Sequence, residues 1–311
     1  MTLVYSLRVC AHQTTSGLGL VATGSDVGRH AREAGSRSVR RTFGLGHGER
    51  VIDWLVVMRR MPYNLTLEHA IINGALREAD VRRVAERLSA FFAAAGKAGL
   101  GPAQYRRHFG CEIESLRRIL LRPEFAQSAH AVNALADRQL RFLDEKRDLF
   151  DQRVRDGRIV DGHGDLRPEH IYLTPEPIIL DCIEFDPVLR HRDPADELAF
   201  LSMECQMLGT PAVHHWLFDS YRSHSGDDPA TRLIAFHASF NAFVRARIAV
   251  WHIGDPGTGE PEQWIAQARR YLDLAEEYTR EFDRNSGRRP DSTEPGETNQ
   301  RALAKPESSQ R

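Results

Sequence analysis

Residues 163–196 are the most informative stretch of the chain and read HGDLRPEHIYLTPEPIILDCIEFDPVLRHRDPAD. Asp165 follows a short strand in a glycine turn, and two short strands, 170–173 and 178–181, flank the turn residues TPEP and predict a hairpin. Folding the hairpin returns Asp181 to the side of Asp165, so that two carboxylates from separate loops face one cleft. Phosphoryl transfer uses such a pair, since one carboxylate orients the acceptor hydroxyl while another holds the Mg²⁺ on the nucleotide phosphates.

Composition narrows the class of protein. Of the 311 residues 27% are charged and 41% hydrophobic, enough for a substantial core. A net charge of −1, from 42 basic and 43 acidic residues, argues against binding to nucleic acid or a membrane mainly through positive charge. We expect no transmembrane helix and no secretory signal, hence a cytoplasmic protein. The four cysteines lack CxxC spacing and are interpreted as reduced thiols.

Three parts of the chain differ in composition. Residues 1–50 form an atypical Gly/Arg-rich segment, with eight of the 23 glycines and little apolar periodicity. Residues 285–311 are dominated by Pro, Ser, Glu and Arg, which predicts a disordered tail. Residues 51–284 form the main domain, beginning with an apolar strand at 51–58. Its apolar periodicity and helix-breaking residues then predict helices at about 66–74, 78–95, 104–121, 129–155, 194–209, 229–252 and 261–284.

Several blocks of the main domain together carry a family resemblance. The matching residues are HGDL at 163–166, ILDCIEF at 179–185, DPADELAF at 193–200 and, more weakly, DWLVVMRRMP at 53–62 and FVRAR at 243–247. On these residues the chain resembles, over about 51–283, the aminoglycoside phosphotransferase-like family, in the bacterial branch often fused to a P-loop ATPase domain. The resemblance implies an α+β, protein-kinase-like two-lobed fold with a reduced or degenerate N-lobe. Its mainly helical C-lobe carries a catalytic-loop β-hairpin.

The resemblance also implies catalytic roles. Asp165 is expected to be the catalytic base or the carboxylate that orients the acceptor hydroxyl. His163 is expected to brace the catalytic loop, against either Asp196 or Glu197. The implied activity is an ATP-dependent phosphotransferase acting on a hydroxyl of a small molecule, whose identity the sequence does not reveal.

Metal and nucleotide positions follow from the same resemblance. Asp181 is expected to be the main Mg²⁺ ligand, and His170 stands where the family usually has an asparagine ligand. Because Mg²⁺ prefers oxygen ligands, His170 either weakens metal binding or contacts phosphate or backbone instead. The residues expected to contact ATP are Met58, Arg59, Met61 and Arg167.

Two departures from the family keep alternatives open. Kinase-like enzymes place a lysine on the α- and β-phosphates, but no lysine precedes Lys97, so that Arg40 or Arg41 would have to replace it. A G-x-x-x-x-G-K-[ST] motif is also absent, so any ATPase partner would be a separate chain. The alternatives are a catalytically impaired kinase-like binding module and, with less support, a metal-dependent hydrolase using the His163, Asp165, His170 and Asp181 side chains.

Other conspicuous residues receive structural interpretations. Arg245 and Arg247 are interpreted as one face of a helix. Trp264, Tyr271 and Tyr278, spaced at seven residues, are interpreted as a packing stripe on the last helix.

Overall fold

A computed structural model describes residues 4–6, 17–22, 43–45, 51–57, 60–254 and 259–284. Met58 and Arg59, two of the predicted nucleotide contacts, lie outside the described residues. The same holds for the predicted disordered tail, 285–311, and for most of the atypical segment 1–50.

Four strands form an antiparallel sheet in the order β1-β4-β2-β3. Their bounds are β1 Val4–Ser6, β2 Gly17–Ala22, β3 Phe43–Leu45 and β4 Val51–Val57. The predicted apolar strand is β4, and it pairs with β1 on one side and β2 on the other. A run rich in valine suits this interior position of a sheet.

From residue 60 onward the described chain is mostly helical. The helices are α1 Leu67–Ile72, α2 Glu78–Ala94, α3 Pro102–Leu120, α4 Ala129–Glu145, α5 Arg147–Arg155, α6 Pro187–Arg190, α7 Pro194–Met207, α8 Val213–Ser225, α9 Thr231–Trp251 and α10 Pro261–Arg284. Two short antiparallel ladders interrupt them. They pair β5 Val160–Asp161 with β8 His191–Arg192, and β6 Ile171–Tyr172 with β7 Ile178–Ile179.

Helix α9 is the centre of the core. Phe236 on α9 stacks on Phe142 of α4 at 5.3 Å between ring centroids and meets Phe150 of α5 edge-on at 5.0 Å. Phe240, one turn further along α9, meets Phe109 of α3 at 4.9 Å. Among the described helices, α9 alone has the length and hydropathy of a membrane span, but 83% of its most apolar window is buried inside the fold, as expected of a core helix.

A buried ion cluster fixes the start of α7, the helix that supports the site. Arg153 on α5 donates to both oxygens of Asp193 at 2.7 Å and to Asp227 at 2.5 and 2.7 Å. Asp193 also caps α7, because its side chain accepts the N–H of Ala195 at 2.9 Å, as its position before Pro194 predicts. With all three charged groups buried, the cluster ties α5 to α7.

Three sequence expectations differ from the structure. The single helix predicted at 129–155 is two helices, α4 and α5, because Lys146 leaves helical geometry at φ −112° and ψ 28°. Helix α8 was not among the predicted elements. Cys182 is disulfide-bonded, so the expectation of four reduced thiols is wrong there, whereas Cys111 and Cys205 are free thiols.

Candidate active site

His163 connects the two loops that carry Asp165 and Asp181. Its Nδ1 accepts the backbone N–H of Asp165 at 3.3 Å, and its Nε2–H donates to the carbonyl oxygen of Leu180 at 2.9 Å. Burial lowers the pKa of His163 to about 4, so the ring is neutral at pH 7. One imidazole thereby holds the residue before Asp181 against the backbone of Asp165, whereas the sequence predicts that His163 braces the loop against Asp196 or Glu197.

Glu197 is the brace on the other side of the same turn. Its Oε1 accepts the backbone N–H of His163 at 2.8 Å and that of Gly164 at 2.7 Å. Burial raises the pKa of Glu197 to about 7, although the two N–H donors favour its charged form. Of the two acids expected to do this, Asp196 is engaged elsewhere, with Arg192 at 2.8 Å.

The glycines of the turn are required by close contacts. Gly164 has φ +83°, and a Cβ there would lie 3.0 Å from the carbonyl oxygen of Leu189. A Cβ on Gly162 would lie 2.6 Å from Oε1 of Glu197. The turn therefore admits only glycine at these two positions without rearrangement.

His170 lies between Asp165, the predicted catalytic carboxylate, and Asp181, the predicted metal ligand. Its Nδ1 is 2.9 Å from the carbonyl oxygen of Asp165 and 3.8 Å from Oδ2 of the same residue. Its Nε2 is 3.4 Å from Oδ2 of Asp181. The hairpin is in place as well, since the Leu180 N–H donates to the His170 carbonyl at 3.0 Å. Both carboxylates thus lie within 4 Å of one ring, so Asp165 and Asp181 converge on one locus.

Two acceptor atoms face each other at this locus, one from His170 and one from Asp181. The carbonyl of Asp165 can only accept, so the hydrogen bond to it assigns the proton to Nδ1 of His170. Nε2 then directs a lone pair toward the Asp181 carboxylate. These two acceptors are 3.4 Å apart, a separation that two ligands of one metal ion can have.

Mg²⁺ fits only part of this donor set. The carboxylate of Asp181 suits Mg²⁺, but an imidazole nitrogen suits softer divalent ions such as Mn²⁺ or Zn²⁺ better. Over residues 60–254 and 259–284 no group of three or more His, Cys, Asp or Glu side chains is arranged to hold a metal ion. His170 and Asp181 alone would therefore leave most coordination positions to water and to phosphate oxygens.

The side chain of Asp181 is mostly exposed. Its side chain is 71% exposed and its backbone has φ +68°, in the left-handed region that aspartate enters more readily than most residues. Phe185, four residues further on, is 84% exposed. The side chains of Asp181 and Phe185 are therefore exposed, although the disulfide of Cys182 tethers the chain between them.

The predicted nucleotide contacts are less well defined. Met61 is half-buried and precedes the turn Tyr63–Leu65, whose Leu65 carbonyl accepts the N–H of Leu173 from the hairpin at 2.7 Å. Arg167 is paired with Glu169, and its buried Nε has no hydrogen-bond partner among the described residues. Contact of either residue with ATP stays a prediction.

Sequence reasoning missed a buried charge pair next to the site. Arg245 on α9 lies 2.8 Å from Glu204 on α7, with both side chains at least nine-tenths buried. Tyr271 of α10 donates its hydroxyl to the same glutamate at 3.1 Å. Arg245 and Tyr271 are thus more than the helix face and packing stripe expected for them. The available signal was an arginine inside the nearly continuous apolar run of α9, since a buried charge requires a partner.

Comparison with known proteins gives relatives but no family assignment. No protein-family model matches the chain. One uncharacterised protein from Mycobacterium bovis and two from strains of Mycobacterium tuberculosis are each 30% identical to it over 241 residues, 75% of this chain and 46% of theirs. The chain therefore spans about half the length of the curated relatives it matches. Among solved structures, Plasmodium vivax ethanolamine kinase aligns with 73% of this chain and 65% of its own, at 12% identity and a TM-score of 0.44, too low to support a conclusion about fold or activity.

Proposed function

We propose that the chain is an ATP-dependent phosphotransferase of the kinase-like, aminoglycoside phosphotransferase-like type, acting on a hydroxyl of a small molecule in the cytoplasm. The observation that carries the proposal is the position of one imidazole, that of His170, between Asp165 and Asp181. Two carboxylates from separate loops at one locus are what the sequence pattern required for phosphoryl transfer.

The proposed chemistry divides between the two acids. Asp165, whose side chain is 34% exposed, orients the acceptor hydroxyl and takes its proton. The acceptor oxygen forms a bond to the γ-phosphorus of ATP while the bond to the bridging oxygen breaks and ADP leaves. Asp181, with His170 beside it, holds the divalent ion that neutralises the phosphates. His163 and Glu197 touch no reacting atom in this scheme and position the loop.

A second candidate is a binding module that has lost catalysis. The absence of lysine from the first 96 residues favours it, because the usual contact to the α- and β-phosphates is then missing. This candidate predicts ligand binding without turnover. A metal-dependent hydrolase has less support, since no cluster of three metal ligands is found in the described residues. A separate ATPase partner stays part of the prediction for the phosphotransferase.

One experiment separates the candidates without knowledge of the acceptor. Thermal unfolding is recorded with and without Mg-ATP, and slow hydrolysis of ATP by water is followed as phosphate release. We expect a stabilised protein and slow release, since a ligand at about 100 times its Kd stabilises by about 2.7 kcal/mol. Asp165→Asn should keep the stabilisation and lose phosphate release. The exposed Asp137→Asn is the matched control and should retain both.

Each outcome has a definite meaning. Stabilisation by Mg-ATP without phosphate release above the Asp165→Asn level favours the binding module. Phosphate release that survives in Asp165→Asn contradicts the role of this carboxylate. Neither stabilisation nor release at millimolar Mg-ATP contradicts the phosphotransferase altogether.

A further inference from the structure

A cavity of about 270 Å³ lies between α9, α10 and the loop that follows Asp165. Arg167, Arg245, His252, Trp264 and Tyr271 contribute its polar and aromatic lining. This volume lies just below the range of about 300–1,000 Å³ that is typical of small-molecule sites. It would suit a small metabolite better than a large oligosaccharide.

The lining of the cavity carries one sign of charge. Two arginines line it, and no carboxylate is among the described residues that line it. Each arginine is paired with an acid that is not among these lining residues, Arg167 with Glu169 and Arg245 with Glu204. An arginine has five N–H donors, so one carboxylate leaves donors unused. The buried Nε of Arg167 is such a donor, without a partner among the described residues.

The wall of the cavity is aromatic. The indole of Trp264 lies against the ring of His252, with centroids 4.6 Å apart and planes inclined by 36°. The guanidinium of Arg245 lies 5.6 Å from the centre of the Tyr271 ring. Flat aromatic surfaces next to fixed guanidinium groups suit a ligand with a ring and an anionic group.

The cavity adjoins the proposed catalytic carboxylate. Arg167 is two residues from Asp165. Since Arg167 also lines the cavity, the cavity wall begins within two residues of Asp165 along the chain. A ligand anchored on Arg167 would therefore lie close to the turn that carries Asp165.

We propose that this cavity is the acceptor subsite and takes a small hydroxyl compound that carries a carboxylate or phosphate group on a ring. This inference rests on the proposed function, because it assigns the acceptor to the same Asp165. A polycationic acceptor is disfavoured, since it would bring like charges against Arg167 and Arg245. The proposal therefore assigns Arg167 to binding of the acceptor instead of to binding of ATP.

The test uses the fluorescence of Trp264 as a local reporter. The probes are 4-hydroxyphenylacetate and phenyl phosphate as anions, tyramine as the cationic counterpart of the first, and ATP. We expect either anion to change the emission at millimolar concentration, and tyramine and ATP to leave it unchanged. Trp264→Phe should remove the response, whereas Trp216→Phe, which alters a tryptophan on α8 outside the cavity, should keep it.

Substitution of the arginine completes the test. Arg167→Gln should weaken anion binding about tenfold, the loss expected for one charge-assisted hydrogen bond. Arg270→Gln, at an exposed position of α10, is the matched control and should bind as wild type. Circular dichroism verifies that both variants fold.

The subsite and the proposed function can fail separately. Binding of tyramine as tightly as of the anions, a response to ATP at Trp264, or no response to any anion would overturn the subsite. Anion binding at Trp264 without phosphate release from ATP would overturn the phosphotransferase and leave an anion site. Phosphoryl transfer to a cationic acceptor would support the phosphotransferase and overturn the anionic subsite.

Discussion

The two halves of the candidate site are built differently. Around Asp165 the backbone is held from both sides, by the ring of His163 and the carboxylate of Glu197, both buried. Around Asp181 the side chain is 71% exposed and Phe185 nearby is 84% exposed. Under the proposed function, the Asp165 half would be preorganised by these hydrogen bonds, and the side chain of Asp181 would be ordered by the bound ion and the phosphates.

Glu197 should give the largest stability effect in the site. Glu197→Ala leaves two buried backbone N–H groups without their acceptor, and we expect a loss of about 2–5 kcal/mol in the free energy of unfolding. Glu197→Gln keeps one oxygen acceptor and should lose clearly less. Urea unfolding of the two variants measures the difference, and a loss below about 0.5 kcal/mol for alanine would show that the Asp165 half is not held as described.

His163 should give the next largest effect, visible as a pH dependence. Its pKa is lowered to about 4 in the folded protein, so its stabilising contribution is complete above pH 6.5 and is lost as the pH falls through 4. The full contribution amounts to about 3 kcal/mol. We therefore expect the stability gap between wild type and His163→Gln to narrow between pH 6.5 and pH 4.

The difference in stability between wild type and His163→Gln reports on His163, although Glu197 has the opposite pH dependence. The pKa of Glu197 is raised to about 7, so its contribution is complete below pH 4.5 and is lost as the pH rises through 7. This contribution is common to wild type and His163→Gln and cancels in their difference. His130→Gln, at an exposed position of α4, should stay within about 0.5 kcal/mol of wild type. A gap for His163→Gln that does not change with pH would mean that the ring is not buried in its neutral form.

Asp181 should give the smallest stability effect and a large effect on activity. Asp181→Asn removes the charge from an exposed side chain and retains a residue that tolerates φ +68°, so stability should change by less than about 0.5 kcal/mol. Phosphate release from Mg-ATP should nevertheless be lost. Urea unfolding together with the phosphate assay measures both, and a stability loss near that of Glu197→Ala would remove the distinction between the two halves.

Local sequence chemistry accounts for much of the site. The turn residues TPEP between β6 and β7 were sufficient to predict that Asp181 returns to Asp165. The sequence predicts a helix from about residue 194, which is where α7 begins, and Glu197 lies in its first turn. The roles of His163 and Glu197 came from the family resemblance. The choice between Asp196 and Glu197 needed the structure, because it depends on which carboxylate faces the turn and which faces Arg192.

Other features depend on how distant elements meet. The acceptor cavity is formed by α9, α10 and the Asp165 loop together, so no segment alone indicates it. The break at Lys146 lies in a stretch with continuous helical periodicity and no glycine or proline. Helix α8 did carry a signal, since Val213, Leu217 and Tyr221 recur every four residues and are buried.

The hydrogen bonds of His163 and Glu197 engage main-chain atoms of the two loops and do not involve the carboxylates of Asp165 and Asp181. Scaffold and reactivity are therefore largely separable in this protein. Replacement of the acids at 165 and 181 could retune or abolish the chemistry while the loops keep their shape. For the same reason, the backbone alone would not distinguish a chain with the proposed activity from one that had lost it.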